Sequence, residues 1–403
     1  MITRADVEAA AATWARAESL TAVIDEFDLG FIVRLLPSDV GTGATVVDRA
    51  TGRVSTWPNL PGGTLQRIYR ERRADIVDPP RTADPEVQLR REARRRIAPS
   101  VAAHATVAGR LYIARGAKGD QELNHHPLVL ERLAEQTPQE TVRGCERHAE
   151  LLVCSDVLHE TDRRRSLAGQ APLTLDEARA LLRESTFETF QIRVPGDPLG
   201  GQPNDPCETC TYVLTQLALL EWSATGALHP STAAPEPNPD PARFSDVVAS
   251  ELLRGSWLPD VAPEMYVAMA EFEIGHALEV PGQQYRHESF PAAVDALAQT
   301  GSVVLHRRAP GLEQRTRLVY ISPDWAQHSA DALGEFAQVI GARLIPIGSV
   351  NNESVLAVDE RGRIFDLDQA GEWFIADSYL EALETLTLGK TTHRVRDDGT
   401  WGY

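Results

Sequence analysis

Two short stretches set the terms for any fold of this chain: His148-Ala149-Glu150, and, further on, Pro206-Cys207-Glu208-Thr209-Cys210. One imidazole and two thiolates make a tetrahedral zinc site with its fourth position left for water. His148 and Cys207 are 59 positions apart, so the fold must bring the two stretches together. Cys207 and Cys210 share a face if a helix begins at Pro206, a favoured first-turn residue, with Asn204 or Asp205 as its cap. Thiolates in a first turn are stabilised by the helix amides. The apolar run Tyr212 to Leu220 would bury that helix. His148 likewise opens a helical pattern, with Leu151, Leu152, Val157 and Leu158 on its inner side. The intervening residues should hold a helix over 175–184 and a strand over 187–194.

A His-x-Glu followed by Pro-Cys-x-x-Cys is the ligand and acid/base pattern of the zinc nucleobase deaminases. His148, Cys207 and Cys210 would hold Zn2+. The ion would bring the pKa of a water near neutrality. Glu150, which is not a ligand, would take the proton and return it to the departing amine. Residues 85–229, with the HAE and PCETC motifs and the strand Leu111 to Ala114 before them, resemble the YwqJ-type deaminases of bacterial toxin and immunity systems. The resemblance implies a three-layer α/β/α, cytidine-deaminase-like domain and a nucleobase-containing substrate. It also makes Asn124, upstream of the His-x-Glu helix, a candidate substrate contact. The other reading of Asn124 is a turn or helix cap before Pro127. Cys145 and Cys154 read as core residues, although Cys145 is close enough in sequence to compete with His148 as a ligand.

The four cysteines all lie in the middle third, which suits a local metal site better than a disulfide framework. No stretch approaches the roughly 20 apolar residues of a membrane span. The N-terminus lacks the basic-then-apolar pattern of a secretion signal, so a cytoplasmic location is expected. The net charge of -18 disfavours nucleic acid at long range. Residues 241–403 carry -11 of it and residues 85–229 only -3, so the repulsion bears least on the middle of the chain.

Residues 1–84 should form a small α+β domain followed by an Arg-rich connector. Thr3 caps a helix whose first turn carries Asp6, strands follow over 21–28, 30–36 and 44–48, and Asp48 to Arg53 turns into a strand over 54–57. The valines, Asp, basic residue and Thr-Gly of this hairpin resemble the YrhB-like immunity domains. A basic helix is expected near Arg94-Arg95-Arg96. Residues 230–241 are a proline-rich linker, stiff and extended. Residues 242–403 then read as a second α+β domain, with helices over 244–254, 330–340 and 379–386 and strands over 302–306, 318–321, 354–358 and 363–367. Trp257, Pro259, the Pro346-Ile347-Gly348 turn, the hairpin of 358–364 and the helix ending at Gly389 resemble the SUKH family of immunity proteins. That resemblance implies a cognate protein toxin as partner. Two readings of the multidomain α/β and α+β chain follow. One is an active zinc hydrolase acting on a nucleobase; the other is a non-catalytic immunity protein that neutralises a toxin through its C-terminal domain.

Overall fold

The computed structural model describes residues 1–17, 20–36, 44–57, 61–73, 85–86, 89, 99–120, 123–193, 197–221, 237–278, 283 and 285–402. Mixed helix and strand run throughout, in two compact units. The first comprises residues 1–98 and 119–121. Helix α1 (Arg4–Ala17) starts where Thr3 N donates to Asp6 and Asp6 N donates to the Thr3 hydroxyl, a reciprocal cap. Strands β1 (Thr21–Phe27), β2 (Gly30–Leu36), β3 (Ala44–Asp48) and β4 (Val54–Trp57) form an antiparallel sheet in sequence order.

Alternation decides which face each residue of that sheet covers. Phe31, Val33 and Val47 pack with Val7 and Trp14 of α1, while Ile32 and Val46 pack with Leu65 and Tyr69 of α2 (Gly62–Arg72). Asp48 closes the hairpin: it accepts from the Ala50 and Thr51 amides, the Tyr69 hydroxyl and Arg73. Arg94-Arg95-Arg96, and with them the expected basic helix, lie outside the described residues.

The second unit comprises residues 99–118 and 122–403. Its first part holds β5 (Ser100–Val107), β6 (Arg110–Arg115), α3 (Pro127–Leu133), α4 (Ala149–Leu167), α5 (Leu175–Arg183), β7 (Thr186–Ile192) and α6 (Glu208–Gln216). The sheet has the order β6-β5-β7, antiparallel throughout. Ala103 and Ala105 of β5 leave room for α4, whose Leu151, Cys154 and Leu158 join Leu182 of α5 and Leu214 of α6 in one core. The expected linker falls mostly on residues 222–236, which lie outside the described residues.

The remainder contains α7 (Asp246–Arg254), α8 (Pro263–Ala277), α9 (Pro291–Leu297), β8 (Val303–Leu305), β9 (Val319–Ile321), α10 (Ala330–Ile340), β10 (Leu344–Val350), β11 (Val355–Asp359), β12 (Ile364–Asp368), β13 (Gly371–Ala376), α11 (Tyr379–Leu388) and β14 (His393–Arg394). The strands form one antiparallel sheet, β14-β13-β12-β11-β10-β9-β8. Leu356 and Val358 face Leu252, Leu297 and Leu383 of α7, α9 and α11; Val355 and Ala357 face Phe336 of α10. Gly389 ends α11 in the left-handed region, φ 67°, which glycine enters without a steric penalty. Among the described residues no helix is long and apolar enough to cross a membrane.

Candidate metal centre

His148 and the two cysteines reach one point because two helix starts converge there. His148 is the N-cap residue of α4, and Cys207 that of α6. The expected cap was Asn204 or Asp205. Instead the Cys207 sulfur accepts from Cys210 N at 3.4 Å, so the sulfur itself takes the place of a capping oxygen. Asn204 anchors the loop before Cys207 to β7: its amide donates to the Thr189 carbonyl, and its own carbonyl accepts from the Thr189 hydroxyl. Thr209, between the cysteines, accepts from Val142 N at 2.9 Å and links α6 to the segment leading into His148.

The ligand atoms of His148, Cys207 and Cys210 all lie within 4.8 Å of one another, and all three residues are buried. His148 Nδ1 is 3.5 Å from Cys210 Sγ. A nitrogen and a sulfur bound to one tetrahedral zinc lie about 3.5 Å apart, given their usual bond lengths. The donor set and its spacing therefore fit zinc. Among the described residues this is the one group of three or more such side chains placed to hold a metal. Cys145 is buried nearby, but burial and then the negative Cys207 sulfur push its thiol well up, and it is not in the group. Burial pushes the Cys154 thiol up to about 12.

Electrostatics within the chain alone favour one charged sulfur. Burial opposes ionisation of Cys207, but the Cys210 hydrogen bond and then His148 outweigh it and hold that thiol well below its ordinary range. Burial and then Cys207 raise Cys210. Burial works against a charged His148, yet the Cys207 sulfur carries its pKa up to about 9.

Glu150 is fully buried, and neither carboxylate oxygen has a hydrogen-bond partner on another of the described residues. A carboxylate left so is costly unless water or substrate completes it. Burial raises its pKa to about 7; His148 opposes the rise and Cys207 adds to it. A carboxyl poised near neutrality can take up and release a proton in one cycle.

Asn124 is exposed, and its carbonyl oxygen lies 3.1 Å from His159 Nε2. The cap of α3 is His126, whose ring accepts from Leu128 N. No described contact brings Asn124 to His148, Cys207 or Cys210. Residues that sequence reading did not single out do surround the site. Arg143 donates to Asp366 at 2.5 Å and to Asp368 at 2.8 Å. Glu208 lies 3.7 Å from both Arg315 and Arg317, and Gln369 accepts from Ala149 N at 3.2 Å. These partners are more than a hundred positions apart, and nothing local in the sequence pairs them.

Neither a curated protein nor a solved structure matches this chain. Family models do, segment by segment. An Immunity protein 35-like domain matches residues 4–75, the segment whose hairpin resembles the YrhB-like immunity domains, and a SUKH-3 immunity protein matches residues 244–389. Residues 85–219, which contain His148, Glu150, Cys207 and Cys210, match the YwqJ-like deaminase family.

Proposed function

We propose that residues 85–219 are a three-layer, cytidine-deaminase-like domain that hydrolytically deaminates a nucleobase, free or within a nucleotide or nucleic acid. The setting would be a bacterial toxin–immunity system. The observation that supports this most is the buried, unpartnered Glu150 beside the His148/Cys207/Cys210 group. A zinc ion held by those three side chains would acidify a water molecule. Glu150 would take that water's proton on a carboxylate oxygen and deliver it to the amine that leaves. The low dielectric of its surroundings strengthens its pull on any proton presented to it. Glu150→Gln keeps shape but cannot carry a proton. It should retain fold and metal and lower turnover by at least about a hundredfold in a screen of cytidine, adenosine and guanine compounds. The comparison is made in a form of the chain that turns over, and turnover within a few-fold of that form would remove Glu150 from this role.

For residues 242–403 the role we propose is protein binding. Their acidic balance suits a basic partner such as a nucleic-acid-directed toxin. Helix α8 also presents Met265, Met269 and Phe272 along one exposed stripe. Pull-down of basic toxin domains by the full chain, strong at low salt and lost as salt rises, is the expected result; binding indifferent to salt would refute the electrostatic part.

A further inference from the structure

The amide of Ala149 stands between the metal ligand His148 and the proton carrier Glu150, in the first turn of α4. Such a donor is well placed to receive a substrate oxygen. It is already taken: the Gln369 side-chain oxygen, from the turn between β12 and β13, accepts from it. Gln369 is buried, and the turn is held on both flanks. Arg143 bridges to Asp366 and Asp368, with its guanidinium 4.7 Å from the centre of the Trp373 ring. Arg147 Nε donates to the carbonyls of Ala117 and Ala370. On the opposite side Arg317 lies by Glu208, the residue after Cys207, and binds Glu353 at 2.8 Å.

The shapes correspond as well as the charges. A Cβ at Gly116 would stand 2.3 Å from the Gln369 carbonyl oxygen, and one at Gly144 would stand 2.6 Å from the Trp373 ring. Both positions lack a side chain where the turn comes in. What remains beside His148 is a cavity of about 50 Å³, lined by Arg143, Arg317, Glu353, Asp368 and Gln369 among others. That is room for about three waters.

We propose that the C-terminal domain is an active-site-directed inhibitor of the middle domain of the same chain, with the Asp368–Gly371 turn as its plug and Gln369 occupying a substrate-oxygen position. The inhibitory surface comprises Arg317, Glu353, Asp366, Asp368, Gln369 and Trp373, and its partner is the mouth of the metal site. Substrate enters only when this surface lifts away. The inference rests on reading the His148 site as the catalytic one, but the occlusion can be measured without turnover.

Hydrogen exchange of the full chain reads it directly. In the parent protein, peptides covering 143–152 and 366–373 should both be protected. Arg143→Glu sets a carboxylate against two others, and Gly116→Val drives a side chain into the turn. Each should speed exchange at both peptides together by at least about tenfold, while β10 and β11 stay unchanged. Should Arg143→Glu fail to fold, Gly116→Val and the parent measurement still decide. Unprotected exchange at 366–373 in the parent, or folded variants that leave 143–152 unchanged, would overturn the proposal. The deamination screen run on the same variants keeps the two ideas apart: opened peptides with turnover gained support both, and opened peptides with no turnover leave the plug standing and remove the deaminase.

Discussion

Thr209 shows how one side chain can fix the candidate metal centre without being one of its three donors. Its hydroxyl is the acceptor for the buried Val142 amide and it sits between the two cysteines. Thr209→Val removes the acceptor at constant volume and strands the amide, at about 1–3 kcal/mol. Denaturant unfolding should show that loss, and Thr209→Ser should recover most of it; an unchanged midpoint for the valine variant would contradict the link. His287 offers a pH test in the C-terminal part. Burial lowers its pKa to about 4, opposed only by a hydrogen bond with the Gln327 backbone. The unfolded imidazole titrates near 6.5, so between those values the unfolded chain holds a proton that the folded chain does not. Stability is therefore fully present above about pH 6.5 and declines as pH falls toward 4, by about 2 kcal/mol between pH 7 and 5. His287→Phe should flatten that slope in unfolding titrations, and an undiminished slope would assign it to other groups.

Elements with a clear polar–apolar contrast were legible in the sequence. Helix α10 falls at 330–340 as expected, and α1, β2 and β3 follow their patterns and turn residues. Helix α8 went unread because it lacks a polar face: Tyr266, Ala270 and Ile274 are buried while Met265, Met269 and Phe272 are equally apolar but exposed. Strand β13 was missed too, since its four consecutive apolar residues, Trp373 to Ala376, carry no alternation to mark a strand. The His148 and Cys207 helix starts could be anticipated because ligand spacing restricts them. Their surroundings could not, because Arg143 meets Asp366 and Asp368 only through tertiary structure. Burial pushes the Asp366 carboxyl up, while Arg143 outweighs burial at Asp368 and holds it down. Arg143→Met leaves those carboxylates buried without their cation. The expected loss is about 3–5 kcal/mol near neutral pH, read by chemical unfolding. A neutral effect would mean that water replaces the arginine.

At the scale of the molecule, acidity and chemistry are separated along the chain. The C-terminal 163 residues carry most of the negative charge, and the metal-competent group lies before them. The family matches divide in the same way, with a deaminase between two immunity domains. That modular order was readable from the motifs. The folding of residues 99–118 and 122–403 into one compact unit was not, because the contacts responsible are scattered side chains such as Arg147, Gln369 and Trp373. The proposed catalysis and the proposed occlusion both depend on the candidate metal centre. Metal analysis of the purified full chain, by elemental mass spectrometry after exhaustive dialysis, tests that centre most directly. About one zinc per chain is expected in the parent and in Glu150→Gln, and little in Cys207→Ser or Cys210→Ala; full zinc retained in both folded cysteine variants would contradict it.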